Sequence, residues 1–182
     1  MSNCVAAMRE WVSAVIVKYN FCPFARKEVE SQRIHYHPSD AVSVDEAVLD
    51  TLEQCRVLDN DSDIETTLVI FAKGFNDFDD FLELIDLANA LLVAQGFEGT
   101  YQLAHFHPHY VFADAEPEDA ANYTNRAPYP ALHIIREHSM EQALAQYDDP
   151  ESIPENNIRL ARRKGSRFWQ QLLQHCTNAT DK

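Results

Sequence analysis

Apolar residues recur along this chain with two periods, which predict helices alternating with strands. Residues 5–19 carry apolar side chains three and four positions apart, as on one face of a helix. Residues 66–72 form a continuous apolar run, which is typical of a strand buried on both faces. In chain order the pattern predicts helices at 5–19, 23–30, from 44 to about 55 behind a Ser43 capping box, 78–92, 139–147 and 157–176, and strands at 32–37, 66–72, 101–107 and 131–136.

This order of elements predicts an α/β fold. A length of 182 residues suits one domain covering residues 1–182, and we expect residues 177–182 to form a flexible tail. Helices between successive strands indicate right-handed crossovers, so we expect about four strands in a mostly parallel sheet with flanking helices. The fourth strand is expected to pair antiparallel at an edge of that sheet.

Charge and composition exclude several classes of partner. The chain holds 15 Lys and Arg against 29 Asp and Glu, a net charge of −14, of which residues 40–86 alone contribute −12. Such an acidic chain is a poor match for nucleic acid or an anionic membrane, because binding to phosphate depends on Lys and Arg. No apolar run reaches the roughly 18–20 residues of a membrane span. The oligomeric state is not predicted.

The four cysteines indicate a reducing compartment. They are widely spaced and form no Cys-x-x-Cys pair, which favours free thiols over a disulfide framework. We therefore expect a cytoplasmic protein.

Candidate chemistry collects where the predicted strands end. Ligands of parallel α/β sheets bind beyond the carboxyl ends of the strands. His37 ends the first strand, Lys73 follows the second, and His107 ends the third. If the strands are parallel, these three side chains gather at one edge of the sheet.

Cys22 is a candidate nucleophile next to that edge. It precedes Pro23, which we expect at the first position of a short helix, and the helix dipole favours a thiolate at this point. The alternative is a buried, inert thiol beside Phe21 and Phe24.

A long loop at residues 108–130 supplies polar candidates for substrate binding. They are Asn122, Tyr123, Asn125 and Arg126, of which Arg126 could clamp a carboxylate or phosphate. Loops of this length inside a domain are usually functional or disordered. The alternative is that these side chains satisfy carbonyl groups of the loop. His133, on the fourth strand, is either a further binding residue or part of the core.

Two pairs of histidines suggest an alternative, a metal-binding site. His35 and His37 share one strand face, as do His105 and His107. A divalent transition metal would accept several imidazoles. The other interpretation is that these histidines are hydrogen-bonded or solvated, and no cofactor is predicted on that basis.

Several segments resemble a bacterial family known as domain of unknown function 1415. They are Asn20-Phe-Cys-Pro-Phe-Ala25, Tyr101-Gln-Leu-Ala104, Phe106-His-Pro-His-Tyr110, Ala121-Asn-Tyr-Thr-Asn-Arg-Ala-Pro-Tyr-Pro130, Leu132-His133, Arg136-Glu137 and Ile153-Pro154. The resemblance implies a single-domain bacterial protein of the cytosol, and it implies no activity. The family pattern includes the histidine at position 107 but not those at 105 and 109, so the resemblance favours Cys22, His107, Asn122, Asn125 and Arg126 over a metal site built from these three histidines.

Three functions follow from these candidates. The first is an enzyme acting on a small anionic substrate, with Cys22 as nucleophile, His107 as its base, and Lys73, Asn122, Tyr123, Asn125, Arg126 and His133 around the substrate. The second is a non-catalytic protein that binds a small anion or another protein. The third is a metal-dependent hydrolase using His35, His37, His105 and His107.

Overall fold

Helices and strands alternate as the pattern predicts in the computed structural model, which describes residues 3–179. The strands are β1 (Ile34–Ser39), β2 (Thr66–Phe71), β3 (Tyr101–Phe106) and β4 (Ala131–Arg136). The helices are α1 (Asn3–Trp11, continued by a π-helical turn at Val12–Val17), α2 (Ala25–Glu30), α3 (Val44–Asn60), α4 (Phe78–Ala94), α5 (Glu137–Leu144), α6 (Ile153–Lys164) and α7 (Ser166–Thr177), with 3-10 turns at Ala120–Thr124 and Pro150–Ser152. Of the expected tail, residues 180–182 lie outside the described residues.

The four strands form one mixed sheet, which confirms the α/β prediction, but one strand pairing is parallel and two are antiparallel where a mostly parallel sheet was expected. Their order is β1-β2-β4-β3, with β1 and β2 parallel and β4 antiparallel to both of its neighbours. Strands β1, β2 and β3 therefore run in the same direction, and their carboxyl ends share one edge of the sheet. The prediction of an antiparallel fourth strand is confirmed, but its expected place at an edge is wrong, because the loop after β3 returns the chain between β2 and β3.

Helices cover both faces of the sheet. On the first face, α1, its π-helical turn, α6 and α7 pack against side chains that include Leu68 and Ile70. On the second face, α3 and α4 pack against Val69 and Phe71. Strand β2 is thus buried on both faces, as its continuous apolar run predicts.

Two element boundaries differ from the prediction for identifiable reasons. Strand β1 continues through Pro38 instead of ending before it, since an edge strand tolerates the missing N–H. The helix predicted at residues 157–176 is divided at Gly165 into α6 and α7. The φ of 82° and ψ of 154° at this residue suit glycine alone and start α7 in a new direction.

Helix α2 is shorter than predicted and starts at Ala25, with Phe24 at its N-cap position. Pro23 is therefore not at the first helical position, and Cys22 does not directly precede the helix.

Among residues 3–179, no helix has both the length and the apolar character that a membrane span requires.

Candidate functional site

A cavity of about 930 Å³ lies between the first face of the sheet and the helices around it. Its wall combines polar and charged side chains, among them Cys22, Asn125 and His133, with a larger number of apolar ones. We call it the His133 cavity. The apolar side chains include Trp11, Val12, Ile16, Phe21, Phe24, Leu68, Phe106, Phe112, Ile135, Met140, Ile153 and Ile158. Size and composition fall in the range of cavities that bind small organic molecules.

The segment that carries Cys22 is fixed by contacts with the C-terminal helices. The chain leaves the π-helical turn through Asn20, whose φ of 57° is a left-handed conformation that Asn tolerates. The side chain of Asn157 then donates a hydrogen bond to the carbonyl oxygen of Phe21 at 2.7 Å. The ring of Phe21 packs against Trp169, with 5.2 Å between centroids. These contacts hold Cys22 against the cavity.

The surroundings of the Cys22 thiol disfavour a thiolate. Burial raises its pKa above the ordinary value, and the backbone N–H groups of Phe24 and Ala25 offset only part of this effect. The thiol therefore stays protonated at neutral pH, whereas a nucleophilic cysteine needs a lowered pKa.

The imidazole of His133 is held in one tautomer. Its Nε2 lies 2.6 Å from Oγ1 of Thr66, and that hydroxyl lies 2.6 Å from the carbonyl oxygen of Ile134. Because a carbonyl oxygen only accepts, the single proton of the threonine hydroxyl goes to Ile134, and Nε2 of His133 donates to Thr66. The proton of the neutral ring is thereby on Nε2, and Nδ1 is left as an acceptor.

Nδ1 of His133 faces the cavity without a protein partner. No side chain or backbone group among residues 3–179 donates to this atom. The protein does not enclose it completely, so it remains accessible from the cavity. Burial lowers the pKa of His133 to about 4, so the ring is neutral at physiological pH. His133 thus offers the cavity one uncharged acceptor.

Both arginines in the cavity wall are already paired. Arg33 lies 2.9 Å from the carboxylate of Glu65 and 3.6 Å from that of Glu28, and it also donates to two backbone carbonyls. Arg136 donates to the carbonyls of three residues at the end of α3 and beyond it, and to the hydroxyl of Tyr101. Both guanidinium groups therefore already have hydrogen-bond partners within the protein.

Asn125 lines the cavity while it holds the long loop. Its side-chain oxygen accepts from Thr124 at 3.2 Å, its nitrogen donates to the carbonyl of His105 at 3.4 Å, and its side chain also pairs with the hydroxyl of Tyr110. We interpret it as part of the cavity wall.

His107 lies away from the His133 cavity, in the core of the second face. Its ring is fully buried against Phe78 and Phe81, at 5.1 and 5.2 Å between centroids. Nε2 donates to the carbonyl of Phe75 at 2.9 Å, and Nδ1 accepts from the N–H of His109 at 3.0 Å. Both nitrogens are used, so the structure does not pair His107 with Cys22 as nucleophile and base.

The other loop candidates hold the loop itself. Asn122 is buried and bonds the N–H of Phe112 and the carbonyls of Glu116 and Pro117. Arg126 donates to the carbonyls of Tyr110 and Pro117, and its guanidinium stacks over the buried ring of Tyr123 at 4.7 Å. None of the three side chains that the sequence proposes here, Asn122, Tyr123 and Arg126, lines the His133 cavity.

Lys73 is exposed at the carboxyl edge and forms an ion pair with Asp40 at 2.7 Å. It does not line the cavity, so the structure does not place it with the other proposed substrate-binding residues.

The structure does not bring the four candidate histidines together, because they lie at opposite edges of the sheet. His35 and His37 are on β1, His105 and His107 are on or just after β3, and β2 and β4 separate the pairs by roughly 14 Å at about 4.8 Å per strand. His37 instead bonds the carboxylate of Asp50 at 3.0 Å. Within the described residues, no group of three or more His, Cys, Asp or Glu side chains is arranged to hold a metal ion.

A protein-family model agrees with the resemblance of the sequence. The family is described as a protein of unknown function (DUF1415), and its model matches residues 3–171. The chain belongs to this family. No curated protein and no solved structure matches it.

In this DUF1415 chain, the segments that carry the resemblance meet around the His133 cavity. The Asn20–Ala25 segment supplies Cys22, the long loop supplies Asn125, and the Leu132-His133 pair supplies the imidazole. Ile153-Pro154 closes another part of the wall.

Sequence reasoning missed most residues of the cavity wall, among them Thr66, Arg33 and Asn157. Each of these three acts through a contact with a distant segment, and no local sequence signal indicates such a contact.

Proposed function

We propose that this protein binds a small organic molecule with a mainly apolar body in the His133 cavity. The observation that carries the proposal is a cavity of about 930 Å³ whose accessible wall is apolar for the larger part. A ligand of this kind gains affinity by removing apolar surface from water, and the polar groups fix its orientation.

The arginine contacts argue against an anionic ligand in this cavity. Arg33 is neutralised by Glu28 and Glu65, and the donors of Arg136 are directed at backbone carbonyls. His133 is neutral and offers an acceptor, which repels the lone pairs of a carboxylate or phosphate. Lys27 also lines the cavity, but its side chain is largely exposed and lies 3.8 Å from Glu28, so an anion beside His133 would lose its hydration without a buried positive partner.

A cysteine-dependent enzyme is the second candidate, and one observation favours it. The backbone N–H groups of Phe24 and Ala25 lie against the thiol of Cys22, which itself lines the cavity. If a bound ligand placed a base near the thiol, the same two donors would stabilise a thiolate. In that case Cys22 acts as nucleophile on the bound molecule.

We further propose that the protein works in the cytosol of a bacterium. The thiols of Cys22, Cys55 and Cys176 are free, which suits a reducing compartment, and the family resemblance implies a bacterial source.

A cavity-filling substitution tests the binding function. Ala104→Phe adds a ring next to His133, with which Ala104 is paired in the sheet register. The control, Ala94→Phe, adds the same ring at an exposed position of α4. We expect neutral aromatic fragments identified by NMR against the unmodified protein to bind the Ala94→Phe variant and not the Ala104→Phe variant. Equal binding to both folded variants would place the ligand elsewhere and refute the proposal.

A further inference from the structure

The contacts of His133 define the ligand more closely than the shape of the cavity does. This inference rests on the proposed binding function and adds the chemical class of the ligand. It starts from the relay of two hydrogen bonds, from Nε2 of His133 to Thr66 and from Thr66 to the carbonyl of Ile134. The relay leaves the ring only one polar group for a ligand, the unprotonated Nδ1.

Apart from Thr66, the described neighbours of the ring in the sheet register and in ring contacts are apolar. In the sheet register His133 lies between Leu68 and Ala104 on the cavity face. The ring of Phe106 lies next to it, with 6.2 Å between centroids. An ion placed here would lose its hydration beside three apolar side chains and one neutral acceptor.

A cationic ligand is disfavoured by the pairing of the carboxylates. Glu28 and Glu65, which also line the cavity, both form ion pairs with Arg33. An ammonium group would have to compete with a guanidinium that already binds them, or remain without a counter-charge.

We propose that the ligand is an uncharged hydroxyl compound with an apolar body, whose O–H group donates a hydrogen bond to Nδ1 of His133. A hydroxyl is the smallest neutral donor that matches a single acceptor in an apolar wall. A ligand without a donor would leave Nδ1 buried and unpaired once the cavity is filled, which costs affinity.

Four naphthalene probes of similar size test this class: 2-naphthol, 2-methoxynaphthalene, 2-naphthoate and 2-naphthylmethylamine. Isothermal titration near neutral pH gives the dissociation constant of each. We expect 2-naphthol to bind about tenfold more tightly than the methyl ether, the effect of one hydrogen bond to a buried acceptor. The charged probes should bind more weakly than the naphthol.

A pair of variants assigns this preference to His133. His133→Phe should bind the naphthol and the ether equally, while His175→Phe, at an exposed position of α7, should retain the preference. In the unmodified protein, the ¹⁵N resonance of Nδ1 should shift on addition of 2-naphthol. This second readout keeps the test decisive if His133→Phe does not fold.

The outcomes separate the inference from the function on which it rests. Equal affinity for the naphthol and the ether, or tightest binding of the carboxylate or the amine, would overturn the hydroxyl class and leave the binding function standing. If none of the four probes binds the folded protein, the binding function fails as well.

Discussion

Acid should weaken the fold through His133, because the folded protein keeps this ring neutral. Burial lowers the pKa of His133 to about 4, whereas an unperturbed histidine has a pKa of 6.5. Between these values the unfolded chain binds a proton that the folded chain excludes. The contribution of His133 to stability is therefore complete above about pH 6.5 and is lost as the pH falls towards 4.

The size of the effect follows from the two pKa values. At about 1.4 kcal/mol per pH unit and proton, lowering the pH from 7 to 5 should remove about 2 kcal/mol of unfolding free energy through this group. That is a large part of the roughly 5–15 kcal/mol that a domain usually has.

Urea denaturation at several pH values between 7 and 5 measures the effect. His133→Gln removes the titrating ring, so its unfolding free energy should fall by about 2 kcal/mol less than that of the unmodified protein over this range. His175→Gln, at an exposed position, serves as the control and should follow the unmodified protein. If His133→Gln shows the same pH dependence as the unmodified protein, the ring is not held neutral and the reasoning is refuted.

Three further substitutions or reactions test the roles assigned above. Iodoacetamide at neutral pH should modify Cys22 before the three buried thiols. Cys22 should nevertheless react more slowly than free glutathione, since burial raises its pKa. Peptide mapping by mass spectrometry measures both rates, and a reaction faster than that of glutathione would favour the cysteine-dependent enzyme. His107→Ala should lower the unfolding free energy by about 2–4 kcal/mol in urea, with unchanged affinity for 2-naphthol; a loss of affinity without a loss of stability would contradict a structural role. Gly165→Ala should cost about 1–3 kcal/mol in the same assay because its backbone conformation suits glycine alone, and a neutral effect would show that the α6–α7 junction tolerates another geometry.

Local patterns in the sequence were sufficient to predict most of the elements. Strand β4 has the bounds that the pattern predicts, and the capping box at Ser43 and Glu46 is present at the start of α3. These features depend on residues a few positions apart, so a single segment contains the information.

The strand order and the separation of Cys22 from His107 could not be predicted in the same way. The order depends on the path of residues 107–130, which inserts β4 between β2 and β3. Phe106 faces the cavity and His107 belongs to the other face, as the alternation along a strand requires. Which face the Cys22 segment covers is set by contacts with Asn157 and Trp169, more than a hundred residues away.

The polar loop shows why residue type alone was misleading there. Arg126 and Asn122 have the chemistry of a ligand site, but the loop backbone of Tyr110, Phe112 and Pro117 uses their hydrogen-bonding capacity. A long irregular segment inside a fold needs such partners for its backbone groups. The sequence contains both possibilities, and only the packed structure distinguishes them.

The ¹⁵N NMR spectrum of the histidine side chains, recorded near neutral pH with and without 2-naphthol, tests the central claim most directly. We predict that free His133 carries its proton on Nε2 and has an unprotonated Nδ1, and that 2-naphthol shifts the Nδ1 resonance as expected of a nitrogen that accepts a hydrogen bond. A proton on Nδ1, or a spectrum that saturating 2-naphthol leaves unchanged, would contradict the account.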